Sequence, residues 1–108
     1  MTRQFDAIIV GAGQAGPALA ARLTGAGQRV ALVERHLVGG TCVNNGCVPT
    51  KTLVASAYVA HMARRATDYG VTVGGAVGVD MARVRARKDE WVERGRNGIK
   101  GWMEGQAN

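Results

Sequence analysis

Aromatic side chains are scarce in this sequence: two Trp, two Tyr and one Phe make up 5% of its 108 residues. The densest basic stretch, Arg83, Arg85, Arg87 and Lys88, has none interleaved and runs straight into Asp89, Glu90 and Glu93. The alternation of cations and stacking rings that a nucleic-acid strand needs is therefore missing, and a solvated helix face remains. Nor is positive charge gathered into an arm. The net charge is +6, and residues 1–60 (five Lys or Arg, two acids) contribute as much of it as residues 61–108 (nine and six). No apolar run reaches the about 18 residues that a membrane-spanning helix needs. Asp6 and the glycines at 11, 13 and 16 interrupt the first apolar stretch, so no export signal is read. At 46% hydrophobic, the chain is not a disordered tail. Its length allows one domain at most, burying roughly two-thirds of the unfolded surface. The expectation is a soluble, globular, cytoplasmic domain with no nucleic-acid and no membrane partner.

What is present is organised by glycine, with 16 in all. The run Phe5 to Val10 (F-D-A-I-I-V), closed by Gly11, reads as a strand buried on both faces of a parallel sheet. Gln14 to Ala26 reads as a helix, with Ala15, Leu19, Ala20 and Leu23 on one face and Pro17 tolerated in its first turn. Arg29 to Glu34 (R-V-A-L-V-E) reads as a second buried strand, so the first 34 residues form a βαβ unit. A loop of about a dozen residues holding Gly39, Gly40, Asn44, Asn45 and Gly46 follows. Pro49 then opens a helix in which Leu53, Val54, Ala57, Tyr58 and His61 recur at helical spacing and which Gly70 ends. Val71 to Val73 is a candidate short strand. Asp80 is a candidate N-cap for a last helix with Val84, Trp91, Val92, Ile99, Trp102 and Met103 on one stripe, weakened by Gly95, Gly98 and Gly101. Nothing in the sequence covers the two tryptophans, so this stripe expects a further partner surface.

Gly11-Ala12-Gly13-Gln14-Ala15-Gly16 is G-x-G-x-x-G, and its context gives it meaning. It follows a predicted strand, opens a predicted helix, and is trailed by the acid Glu34 at the end of the second strand. Gly11 permits the tight turn, Gly13 lets a pyrophosphate approach backbone N–H groups at the positive helix end, and Gly16 lets helix and strand pack closely. Glu34 suits a ribose hydroxyl pair and would repel a 2′-phosphate. The ligand class is an adenine dinucleotide without that phosphate, FAD or NAD.

The two cysteines, Cys42 and Cys47, lie five apart directly after the βαβ unit. Zinc needs four ligands, and His36 and His61 lack the spacing to complete a set, so no metal site is expected. A structural bridge closing so short a loop constrains the unfolded chain little. In an ideal helix the two Cα atoms would be roughly 8–9 Å apart, beyond the about 7 Å limit for a disulfide. A bond between them requires a distorted turn, which Asn44, Asn45 and Gly46 tolerate. Near a helix start such a pair favours a thiolate and reads as a redox centre.

The segment G-G-T-C-V-N-N-G-C-V-P-T-K, together with the glycine loop, resembles the active-site region of the flavin-dependent pyridine nucleotide-disulfide oxidoreductases, the group that holds glutathione reductase, dihydrolipoamide dehydrogenase and mercuric reductase. The resemblance runs from residue 11 through V-P-T-K-T-L-V-A-S-A into the last helix. Asn45 departs from the Val, Ile or Thr common in the family, and V-P-T-K is more similar to the mercuric-reductase-type branch. The resemblance implies FAD as cofactor, its pyrophosphate held by Gly11, Gly13 and Gly16 and its adenosine ribose by Glu34 with Arg35 beside it. It implies that Gly40 and Thr41 line the flavin side. Cys47 would be the thiolate that exchanges electrons with the flavin, Cys42 the thiol that attacks a disulfide or bound metal, and Lys51 the cation that tunes the flavin.

The expected fold class is α/β: a Rossmann-type βαβ FAD-binding unit followed by helices, incomplete relative to the family, with residues 1–108 the N-terminal part of an FAD-binding domain. Family members continue into an NAD(P)H-binding domain and a homodimer interface domain with a catalytic histidine. Only one G-x-G-x-x-G occurs here, so the NAD(P)H site is absent from this sequence, and neither His36 nor His61 sits in a matching motif. Two functions follow. One is the flavin and dithiol portion of an NAD(P)H-dependent oxidoreductase acting on a small-molecule or protein disulfide or on mercuric ion, a truncated chain or fragment without full activity by itself. The other is a stand-alone, non-catalytic nucleotide-binding module whose dithiol is vestigial or a redox sensor.

Overall fold

The computed structural model describes residues 2–106, so the expected 1–108 portion is followed over that range. Strand β1 (Ala7–Val10) is followed by helix α1 (Gly16–Gly25) and strand β2 (Val30–Val33). The strands pair in parallel, with Ala7 opposite Val30 and Val10 opposite Val33. The βαβ reading therefore holds, with shorter elements: Phe5, Asp6, Arg29 and Glu34 fall outside the paired strands, and α1 starts at Gly16, leaving Pro17 in its first turn.

The dozen-residue loop is not all loop. It contains the short helix α2 (Gly40–Asn44), and α3 (Cys47–Arg64) starts two residues before Pro49. A proline in the first helical turn removes an N–H that has no intrahelical acceptor, so it does not mark the helix start itself. α3 ends in a 3₁₀ turn (Ala66–Tyr69) closed by Gly70. Val71–Val73 forms no strand, having no neighbouring strand to pair with among the described residues. Helix α4 (Met81–Glu104) is capped by Asp80, whose carboxylate accepts the Arg83 N–H at 3.0 Å. It runs unbroken through Gly95, Gly98 and Gly101.

Packing departs from the simple sequence pattern in three places. The strands are not buried on both faces: α1 covers Ile9, Val30 and Leu32, whereas Ile8 is 68% and Val10 85% exposed. With a two-stranded sheet and no helix on its second face, that side stays bare. On α3, Val54, Tyr58 and His61 are exposed, whereas Leu53 and Ala57 line a groove against the start of α4 together with Ser56 and Ala60, and Thr52 is buried. On α4 the inward positions are Val84, Val92, Ile99 and Met103, whereas Trp91 and Trp102 flank them in solvent.

Nor is the shape a globule. The chain measures 67 × 24 × 18 Å with a radius of gyration of 20.4 Å, against about 13 Å for a compact domain of this length. Among the described residues, only Ala12, Ala20, Val43 and Val92 are buried hydrophobics. The elongation comes from α3 and α4 packing along each other and reaching away from the sheet. That core is a seam joining the glycine loop, α1, α2 and α4. It therefore lies next to the chemistry-bearing segment. No helix is long and apolar enough to cross a membrane among the described residues.

Candidate active site

The glycine loop leaves the end of β1 with the Gly11 N–H bonded to the Val33 carbonyl at 2.7 Å, which places the turn at the carboxyl ends of both strands. A Cβ on Gly16 would collide with the Gly11 carbonyl oxygen, so the strand-to-helix turn closes only with glycine there. Helix α1 has no side-chain cap and no acid in its first turn. Its first N–H groups are left for a ligand, and the positive end of its dipole favours an anion. An added Cβ on Gly13 would meet only the Gly40 Cα, at 4.0 Å, so the space over this turn is open to a phosphate. The residues fit the pyrophosphate of a dinucleotide.

Glu34 closes the other side of the loop. Its Oε2 accepts the Ala12 N–H at 2.8 Å and its Oε1 accepts the His36 N–H at 2.9 Å. These bonds, the one from Ala12 first, hold its carboxyl below the ordinary carboxylate range. Arg35 is exposed beside it.

The segment carrying the cysteines is fastened to this loop. The Gly39 N–H donates to the Ala12 carbonyl at 2.7 Å, and a Cβ on Gly40 would lie 2.8 Å from the Gly13 Cα. Gly40 also has φ +64°, in the left-handed region open to glycine. It is the first residue of α2, so Thr41 and Cys42 follow directly from the point of contact with the cradle. Helix α2 stops at Asn44, the chain turns through Asn45 and Gly46, and α3 begins on Cys47. This break brings the Cys42 and Cys47 Cα atoms to 4.6 Å, and the two sulfurs are bonded as a disulfide. The distorted turn that the spacing demands is thus the interruption between two helices.

Cys47 is exposed at the N-terminus of an 18-residue helix that has no side-chain cap and no acid in its first turn, while Cys42 is half-buried. The positive end of the α3 dipole therefore lies at Cys47. Lys51, exposed, is four residues further on and so on the same face of α3. Of the residues singled out in the sequence, Gly11, Gly13, Gly16, Glu34 and Gly40 are brought together directly. Thr41, Cys42 and Cys47 follow on the attached segment, Arg35 lies at the rim and Lys51 one turn along α3.

Sequence reasoning passed over the bonds made by three side chains near this segment, Asn44, Arg96 and Arg87. Asn44 Nδ2 donates to the carbonyls of Val38 (3.0 Å) and Gly40 (2.9 Å), and its Oδ1 accepts from Arg96 Nε at 2.9 Å. Arg87 Nη1 donates to the Thr52 carbonyl at 3.0 Å and to Ser56 Oγ at 3.3 Å. The position of Asn44 between the cysteines is a signal for the first; nothing local marks Arg96. Among the described residues, no three His, Cys, Asp or Glu side chains come together as a metal-binding group.

Residues 5–106 match the family described as pyridine nucleotide-disulphide oxidoreductase. The chain belongs to this family. A dihydrolipoyl dehydrogenase from Acholeplasma laidlawii is 41% identical over 99 residues, covering 92% of this chain and 30% of that protein. One from Bacillus subtilis is 36% identical over 104 residues, covering 96% of this chain and 22% of that protein. Among solved structures, the Cu(II) complex of the HOCl-induced flavoprotein disulfide reductase RclA from Escherichia coli matches with a TM-score of 0.73 and 36% identity. A Cys-to-Ser mutant of it matches with a TM-score of 0.78 and 35% identity, and each match covers 99% of this chain and 21% of that one. The chain thus spans under a third of its relatives' length and corresponds to the portion of the family fold that holds the partial Rossmann-type unit and the disulfide. Members of the family use FAD and NAD(P)H.

Proposed function

We propose that this chain is the FAD-binding, redox-active-disulfide portion of an NAD(P)H-dependent disulfide oxidoreductase. The observation that carries the reading is the contact of Gly40 with Gly13, because it ties the helix bearing Cys42 directly to the dinucleotide cradle. Gly11, Gly13 and Gly16 hold the pyrophosphate, Glu34 and Arg35 the adenosine ribose, and Gly40 and Thr41 line the flavin side. Bound there, FAD would supply two-electron chemistry between NAD(P)H and the Cys42–Cys47 bond. Cys47 rests as a thiolate at the start of α3, and the Lys51 ammonium adds positive charge one turn away. Cys42 gives up its proton as it attacks one sulfur of a small-molecule or protein disulfide, and the leaving thiolate takes that proton. Cys47 then attacks Cys42, expels the second substrate thiolate and re-forms the bond. In the whole protein, a homodimer on this reading, NAD(P)H is bound outside these 108 residues, so the chain alone has no turnover. A cytoplasmic location suits a pair that cycles rather than a permanent bridge.

A second reading replaces the disulfide substrate with a thiophilic metal ion. The V-P-T-K wording supports mercuric ion, and the Cu(II) complexes of RclA are the observation that favours a metal. Reconstitution with FAD tests both. Bound flavin absorbance with a long-wavelength charge-transfer band after dithionite reduction, lost in Cys47→Ser and kept or strengthened in Cys42→Ser, is the expected result. Equal loss in both variants overturns the assigned roles. Failure to retain any flavin leaves a non-catalytic module with a sensor or vestigial dithiol. Quenching of the reduced band by mercuric or cupric ion but not by a disulfide selects the metal reading.

A further inference from the structure

Helix α2 is five residues long, too short to hold its place by its own backbone bonds. Once the Cys42–Cys47 bond is reduced, the position of Cys42 relative to Cys47 depends on what else holds this helix. One tie is local, the Asn45 N–H on the Thr41 carbonyl at 2.9 Å. The Gly39 N–H on the Ala12 carbonyl at 2.7 Å anchors the chain just before the helix, and the side-chain ties converge on Asn44. Its amide nitrogen holds two carbonyls, Val38 before the helix and Gly40 at its first residue, and so fixes both ends of the arc that begins at the dinucleotide loop. Its amide oxygen is held in turn by Arg96, 52 residues away on α4. The guanidinium is within reach because α4 comes close at this point: an added Cβ on Gly95 would be 3.3 Å from Val43 Cγ1, and Val43 is buried. A charged donor on the amide oxygen also polarises the amide and strengthens its two N–H bonds.

We propose that Arg96 is a positioning residue for the Cys42–Cys47 couple, acting through Asn44 to keep the two sulfurs at bonding distance when the bond is open. This rests on the reading that the pair cycles between disulfide and dithiol. A dithiol held in place closes more readily than one on a loose arc, because its sulfurs see each other at a higher effective concentration. The clamp therefore stabilises the disulfide relative to the dithiol. Substrate and cofactor need not touch Arg96 for this effect.

The test is equilibration of the 108-residue chain in glutathione buffers, in which two glutathione molecules give two electrons to the bond and leave as glutathione disulfide while both cysteines take protons. Alkylation of free thiols reads the dithiol fraction, and far-ultraviolet circular dichroism reads helix content in each variant. No flavin or nicotinamide is needed, so a failure to bind FAD leaves this test intact. Arg96→Met is expected to shift the equilibrium toward the dithiol by about three- to tenfold, tenfold being about 30 mV for this two-electron couple. In an Asn44→Ala background the same change is expected to add nothing, because the connection is already lost. Asn44→Asp keeps an acceptor for Arg96 but removes the donors to Val38 and Gly40, and is expected to shift the equilibrium as far as Asn44→Ala does. An unchanged equilibrium in Arg96→Met, or the same shift with and without Asn44, overturns the proposal. Should Arg96→Met lose helix content, Arg96→Ala, which removes the same donor with the best helix former, decides, and wild-type behaviour in that variant overturns the proposal.

Discussion

The Glu34 carboxylate accepts the Ala12 N–H across 22 residues of sequence, joining the end of β2 to the first turn of the glycine loop. Backbone donors from Ala12 and His36 hold its carboxyl below the ordinary 4.5. A depressed carboxylate contributes stability that is fully present above the unfolded value and is lost as pH falls through the lower folded value. Glu34→Gln is therefore expected to unfold at lower denaturant than the wild type at neutral pH. The gap should close as the solution is taken below about pH 4.5. Urea midpoints measured across that range check it; a gap that does not depend on pH would show that the carboxylate charge is irrelevant to the loop.

Gly40 and Gly70 both have positive φ, +64° and +74°, but their surroundings differ. A Cβ on Gly40 would lie 2.8 Å from the Gly13 backbone, whereas one on Gly70 would meet nothing within 4 Å. Gly70→Ala is expected to cost only the left-handed backbone strain, about 1–2 kcal/mol. Gly40→Ala adds a backbone overlap of about 1–3 kcal/mol and, by parting the cysteine segment from the cradle, is expected to abolish flavin retention. Denaturation curves and flavin absorbance of the two variants, side by side, separate the contact from the conformation. Equal behaviour would remove the Gly13–Gly40 approach as a determinant of the site.

The βαβ unit was legible because glycine, a parallel-strand pattern and an acid at the right place punctuate it locally. The cysteine turn was legible for the same reason: an ideal helix cannot bring Cys42 and Cys47 together, so a break between them was required. Helix faces were less legible. The recurrence of Leu53, Val54, Ala57, Tyr58 and His61 marks a helix but not its packed side: Thr52, Ser56 and Ala60 face α4 beside Leu53 and Ala57, whereas Val54 and Tyr58 are exposed. Arg87 can then reach the Thr52 carbonyl and Ser56 Oγ. The Asn44–Arg96 bond left no trace in any local window, since its two halves meet only after α4 has packed on α2.

Asp80 was readable as a cap and behaves as one, accepting the Arg83 N–H at 3.0 Å at the start of the 24-residue α4. Asp80→Ala is expected to destabilise the chain by about 1 kcal/mol, and Asp80→Asn by much less, because either side-chain oxygen can take the bond. Thermal unfolding followed by circular dichroism distinguishes them. Equal losses in both variants would point to the negative charge at the helix start rather than the hydrogen bond.

Side-chain alternation in the two paired strands puts Ile8, Val10, Ala31 and Val33 on the sheet face opposite α1. Ile8, Val10 and Val33 are all exposed, and no described element covers them. Removing such a face from water is favourable by about 1.5–3 kcal/mol for each large aliphatic side chain fully buried, and the open strand edges beside it can add backbone pairing. The 108-residue chain in solution is therefore expected to self-associate with increasing concentration, although its net charge of +6 opposes contact. Replacing Ile8 and Val10 together by Thr keeps β-branched residues in the strand and removes part of the apolar drive. Sedimentation of that double variant is expected to show association weakened by at least about tenfold, an effect of about 1.4 kcal/mol. If association were unchanged, the bare sheet face would not be its cause. The same measurement on Trp102→Ser would then ask whether the exposed tryptophans of α4 hold the copies together instead.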